Sequence, residues 1–132
     1  MKKLLGFMLC LALVLVCVSA LAEIRISDEN FPDRNFQAFI KKYLDTDENG
    51  LLSEGEIKEV TGINVYNLNI VSLKGLEYFP YLEGLACVGN KLTELDVSKN
   101  PALRFIDCNE NQIAKLDLTQ NPLLRQLDCS EN

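Results

Sequence analysis

Residues 45–56 read DTDENGLLSEGE, a run of acids around Gly50 that the chain does not repeat. Asp45, Asp47 and Asn49 alternate, so their side-chain oxygens converge as the backbone curls. Gly50 permits the positive φ of a sharp turn without a Cβ penalty. Leu51 offers a backbone carbonyl and Ser53 a hydroxyl or a bound water, while Glu56 closes the ring with two carboxylate oxygens. Several oxygens at about 2.3–2.6 Å are what a calcium ion requires. Magnesium suits the set less well, because a bidentate Glu and a mostly protein cage favour the larger ion. Asp45, Asp47, Asn49, Leu51, Ser53 and Glu56 are therefore the candidate metal ligands, and Ca2+ the expected ion.

Such a loop needs rigid elements on both sides. Before it, Phe36, Phe39, Ile40, Tyr43 and Leu44 recur at helical spacing and give one apolar face, with Pro32 suited to the first turn. After it, Ser53 and Glu56 stand in capping-box relation and begin a second, short helix that Gly62 is placed to stop. A merely solvated acidic loop accounts for neither helix. Ahead of both, EIRIS (23–27) alternates apolar and polar residues like a short strand. The loop matches the EF-hand pattern D-x-D-x-N-G-x5-E without departure. Leu52 is the position that EF-hand proteins pair across to a second loop, and here there is none. Dockerins, which also carry two such loops, are set aside on the same ground.

The chain of 132 residues opens with a secretory signal pattern: MKK, an unbroken apolar run, then Ala20-Leu21-Ala22 as a cleavage site. Residues 1–22 are read as that leader and not as an uncleaved anchor. Export follows, to the medium or the cell surface, with no membrane span after cleavage. The 110 residues from Glu23 onward carry 11 Lys and Arg against 19 Asp and Glu, a balance that disfavours nucleic acid and anionic membranes. The chain has no histidine, which removes Ser-His-Asp triads, Cys-His dyads and zinc-protease helices together. Paired aspartates without a cleft, and without tryptophan as a sugar platform, make a poor glycosidase. No enzymatic activity is expected.

From Ile63 the pattern changes. LEGLACVGNKLTELDVSKNPA (82–102), LRFIDCNENQIAKLDLTQNPL (103–123) and LRQLDCSEN (124–132) align at a period of 21, and a looser copy (63–82) sits 22 residues ahead. Asparagines at 90, 100, 111, 121 and 132 keep register, as do Cys87, Cys108 and Cys129. This resembles the leucine-rich repeat, L-x-x-L-x-L-x-x-N-x-L. The nested ten- and eleven-residue halves look like the bacterial type called IRREKO, and the first copy is similar to the internalin-like 22-residue class. Internalin-like proteins have a helical, EF-hand-like cap in the position of residues 23–62. The expected fold is α+β: an N-terminal helix–loop–helix cap (23–62) on a short solenoid of parallel strands (63–132).

In such a solenoid the asparagines turn inward to satisfy backbone groups at the bends. The cysteines occupy a slot that Val97 and Leu118 fill in alternate halves, so they read as small buried hydrophobes. Asp96, Asp107, Asp117 and Asp128 should face outward in stacked columns, offset by solvent and nearby Lys or Arg, or else by a second cation. Glu83 with Arg104, and Glu94 with Lys115, stand one coil apart as candidate ion pairs. Phe31, Phe36, Phe39, Ile40 and Leu44 should cover the open end of the solenoid. Leu124 and Leu127 should face solvent, as in a chain with more to follow. The resulting function is recognition of a protein or glycan on the repeat face, with Arg104, Phe105, Arg125 and Gln126 as contact candidates and calcium as a staple. A calcium sensor or buffer, or the front part of a larger surface protein or enzyme, is the alternative.

Overall fold

A computed structural model describes residues 22–132, so the expected leader lies outside it apart from Ala22. In chain order the elements are β1 (Ile24–Arg25), α1 (Arg34–Tyr43), β2 (Leu51–Leu52), α2 (Glu54–Glu59) and β3 (Gly62–Asn64). A 3-10 turn (Leu76–Tyr78) follows, then β4 (Gly84–Ala86), β5 (Phe105–Asp107) and β6 (Gln126–Asp128). β1 and β2 form an antiparallel pair, and β3-β4-β5-β6 form one parallel sheet. No helix among the described residues is long and apolar enough to cross a membrane.

The sheet follows the repeat. Ile63, Leu85, Ile106 and Leu127 are paired in register, the first step being 22 residues and the next two 21. Their neighbours on the strands point out, while Val65, Cys87, Cys108, Leu82 and Leu103 fill the interior. At the last coil Leu127 is 42% exposed and Leu124 partly buried.

Backbone bonds between coils run a little past these strands, as from the Asn67 N–H to Val88 and the Lys91 N–H to Ile70, but other groups at the bends need side-chain partners. The asparagines supply them, in two distinct columns. Asn111 donates to Cys87 and Cys108 carbonyls at 2.9 and 3.1 Å, and its Oδ1 accepts the Leu92 N–H at 3.0 Å. Asn90 and Asn132 do the same one coil before and after. Asn100 and Asn121 also donate to two carbonyls each, but their buried Oδ1 atoms have no partner among the described residues.

A third column is conformational. Asn67, Gly89, Glu110 and Glu131 all turn with positive φ, between 52° and 66°. A Cβ on Gly89 would meet Asn67 Oδ1 at 1.8 Å, so a larger residue there would have to displace that exposed side chain.

The cap closes the first coil. Phe31, Phe36 and Ile40 are fully buried, whereas Phe39 and Leu44 are only partly so. Phe31 meets Phe36 and Tyr78 edge-on, with ring centroids 6.1 and 5.5 Å apart. Tyr43, expected on the apolar face, is 57% exposed, because the helix ends there and its ring packs sideways on Phe39. Pro32 does not begin α1; Asp33 is the N-cap, with Oδ1 accepting from the Asn35 and Phe36 N–H groups at 2.9 Å. Gly62 does not stop α2 either. The helix ends at Glu59, and Gly62 opens β3.

Asp33 reaches further. Its Oδ2 accepts from the Val71 and Ser72 N–H groups at 2.8 and 3.3 Å, joining the cap to the first coil. Four backbone donors depend on one buried carboxylate. Replacing Asp33 with Ala is expected to destabilise the protein by about 2–4 kcal/mol in urea unfolding, more than an isolated helix cap would. A loss below about 1 kcal/mol would show that the two halves hold together without it.

Candidate metal centre and repeat face

The loop curls on its own backbone. Asp45, at the end of α1, is almost fully buried, and its oxygens accept from the Asn49 and Gly50 N–H groups at 3.1 and 2.9 Å. Gly50 takes the positive φ expected of it (80°), and Glu48 joins it at 57°. Asp47 accepts from the Asn49 N–H at 3.2 Å and from the Asn49 amide at 2.8 Å, while Asn49 Oδ1 accepts the Leu51 N–H at 2.7 Å.

Glu56 spans the two ends of the loop. Oε2 accepts from the Ser53 N–H and hydroxyl at 2.9 and 2.8 Å, completing the expected capping box. Oε1 accepts from the Thr46 N–H and hydroxyl at 2.6 and 2.9 Å, a contact that spacing alone did not suggest. Partial burial works to raise the Glu56 pKa, but these four donors hold it down to about 2 from 4.5.

Of the six candidate ligands, Asp45, Asp47 and Glu56 are brought together, with one carboxylate oxygen of each within 4.8 Å of the others. Asn49 is tied to Asp47, the Ser53 hydroxyl to Glu56, and Leu51 belongs to β2. Anionic oxygens converging at this spacing fit a hard divalent cation. Leu52, the position lacking a partner loop, is fully buried and pairs with Ile24 of β1.

On the repeat face, Gly62, Gly84, Phe105 and Gln126 form one outward column, and Asn64, Ala86, Asp107 and Asp128 the next. Phe105 leans over Gly84, 4.0 Å from where a Cβ would sit. Arg104 pairs with Glu83 across one coil at 3.5 Å, as expected. Glu94 and Lys115 form no ion pair among the described residues, whose other bridge joins Lys58 to Glu54. The aspartate columns are balanced by turns more than by cations. Asp96, Asp107, Asp117 and Asp128 each accept the N–H two residues on, at 2.9–3.3 Å, and Thr119 and Ser130 add their hydroxyls. These bonds hold Asp96, Asp117 and Asp128 below the usual carboxylate range.

The three cysteines of the described residues are free; Cys87 and Cys108 are buried and Cys129 is exposed. Burial first, then the neighbouring thiol and Asp107, push Cys87 up to about 12, and burial pushes Cys108 up to about 11. Protonated buried thiols are poor nucleophiles and poor ligands.

Parallel strands on an inward asparagine column, closed by a helical cap, have counterparts of known structure. An internalin F from Listeria monocytogenes superposes with a TM-score of 0.75 at 25% identity, over 83% of this chain and 33% of that one. The functional domain of internalin J, described as including a cysteine ladder, gives 0.72 at 28% identity over 81% and 24%. The fold is internalin-type. Internalin C2 shares it at 15% identity and a TM-score of 0.73, over 83% of this chain and 49% of that one. In sequence, internalin J of Listeria monocytogenes serotype 4b is 30% identical over 70 residues, 53% of this chain. The chain spans only 8% of that relative's length. No protein-family model matches it.

The Glu56 geometry makes a prediction independent of any ion. Its folded pKa lies below its unfolded one, so its contribution is whole above about pH 4.5 and is lost as pH falls toward about 2. In chelator, urea unfolding of the wild type should lose stability across that window, and Glu56→Gln should flatten the loss. Equal acid sensitivity of the two proteins would refute the role given to these hydrogen bonds.

Proposed function

We propose that the chain is an exported leucine-rich-repeat recognition module whose EF-hand-like cap is stapled by calcium. The observation that carries the calcium reading is the convergence of Asp45, Asp47 and Glu56 between α1 and α2. Asp45, Asp47, Asn49 and Glu56 would hold the ion by side-chain oxygens, with Leu51 and Ser53 as the further ligands. Bound there, the ion supplies charge neutralisation and a cross-link between the two helices. The internalin-type fold supports recognition over catalysis, and export rests on the leader pattern of residues 1–22. A protein or glycan presented to the outward columns around Phe105 and Gln126 is the partner class.

For a site of the affinity usual in extracellular modules, about 10⁻⁴–10⁻³ M, 10 mM calcium stabilises by about 1.4–2.7 kcal/mol. Thermal unfolding of residues 23–132 should therefore rise by several degrees over a chelator control. Asp47→Asn, a change at an exposed residue, and Glu56→Gln should both remove the rise. An unchanged melting temperature sinks the reading. Increased binding of an apolar dye with calcium would replace a staple with a sensor.

A further inference from the structure

We infer that the hollow between α1 and β3 is a docking site for an extended segment of another polypeptide, added as a further strand to the open edge of the parallel sheet. The inference deepens the recognition reading by naming a place and a partner chemistry. It does not depend on calcium.

β3 is the first strand of the sheet, so only one of its edges is paired. The Thr61 carbonyl accepts from Glu83 and Gly84, and the Val65 N–H donates to Ala86. Alternate residues of a strand present their backbone to the same side. Gly62 and Asn64 therefore turn their N–H and C=O groups away from β4. Both are exposed, and a Cβ built on Gly62 meets nothing within 4 Å. An unpaired row of backbone groups is a template for another strand.

Beside this edge lies a hollow of about 520 Å3, walled by Phe39, Tyr43 and Leu44 on one side and by Tyr66 and Leu68 beyond β3. Strand addition draws affinity from backbone bonds and specificity from seats for alternate side chains, and this hollow is such a seat. Two smaller hollows continue it. One, of about 290 Å3, reaches Glu56 and Glu59 beside Gly62; the other, of about 260 Å3, reaches Lys42 beside Leu68. The Glu59 carboxylate thus marks the start of β3 and the Lys42 ammonium its far end. The ion pairs among the described residues engage neither Glu59 nor Lys42. This polarity complements a strand running parallel to β3, with a basic residue leading, apolar side chains at alternate positions and an acid trailing.

The test uses residues 23–132 and a fluorescein-labelled peptide, Lys-Val-Tyr-Val-Tyr-Glu, titrated by anisotropy in calcium and in chelator. Saturable binding is expected in both. Two N-methylated forms of the peptide block the two alternate sets of amides in turn. One form should lose at least about tenfold in affinity and the other little, since a lost backbone bond is worth up to about tenfold. Reversing the two charged residues should weaken binding as well. Asn64→Pro removes only an edge donor, which edge strands tolerate, and should reduce binding at an unchanged melting temperature. Equal effects of the two methylated forms, or no saturation, overturn the proposal. So does a concentration-dependent dimer that the peptide fails to compete with, which assigns the edge to a second copy. Calcium-dependent melting, read on the same samples, reports on the staple separately.

Discussion

One carboxylate holds the molecule's two unlike halves in register. Asp33 caps α1 with one oxygen and takes two N–H groups of the first coil with the other, 38 and 39 residues away. Those four donors are otherwise stranded: two at a helix start, where the ladder has not begun, and two at a bend without a neighbouring strand. Because the bonds are charge-assisted and the group is buried, the arrangement is more than a helix cap. It sets where the helix axis meets the solenoid, and Phe31 then fits as a wedge. Gly75 shows how tight that fit is, since a Cβ there would stand 2.1 Å from the Phe31 ring.

Beyond the cap, each coil solves the same three problems in the same columns. Asparagine side chains replace missing ladder partners, left-handed turns at 67, 89, 110 and 131 redirect the chain, and aspartates tie down the next turn. With structure assigned to these columns, the outward strand positions other than Asp107 and Asp128 are free of it. Gly84 and Ala86 leave the face shallow where Phe105 and Tyr66 stand out on either side. Relief on such a face is set by side chains that no packing rule dictates, which is why repeat arrays recognise different partners on one scaffold.

Much of this is legible in residue order. The 21- and 22-residue alignment gave the strand register to the residue, and the S-x-x-E spacing gave the cap of α2 with both of its bonds. Inward asparagines and the buried Cys87 and Cys108 followed from their places in the repeat, whereas Cys129, expected to be buried like them, is exposed on the last coil. Long-range joints did not. Asp33 carries no signal in residue order, because nothing local marks a carboxylate whose partners lie nearly forty residues on. Pro32 drew attention instead, one residue early. Gly62 was misplaced because a helix this short ends where tertiary pairing takes over, and β3 claims the residue first. Thr46 escaped notice for a similar reason: its contact with Glu56 closes the loop across ten residues.

The lone acidic loop follows from what pairs with it. In a two-loop arrangement the strand at Leu52 is matched by its twin, and the pair moves together. Here the match is Ile24 of β1, and the Ile26 N–H donates to the Gly50 carbonyl at 3.0 Å beside it. The two-residue β1 stands where a second helix–loop–helix would pair. The flanking helices have little freedom left: α1 is fixed by Asp33 and by Phe36 and Ile40 in the core, and α2 runs into β3 across only Val60 and Thr61. Opening the pair would break the Asp33 bonds at one end or the first strand of the sheet at the other. A cation held at this loop therefore has no alternative arrangement to select, and differential affinity between two states is what switching requires. Its free energy would go into the closed form alone, as the proposed staple requires, and would leave recognition to the surfaces it steadies.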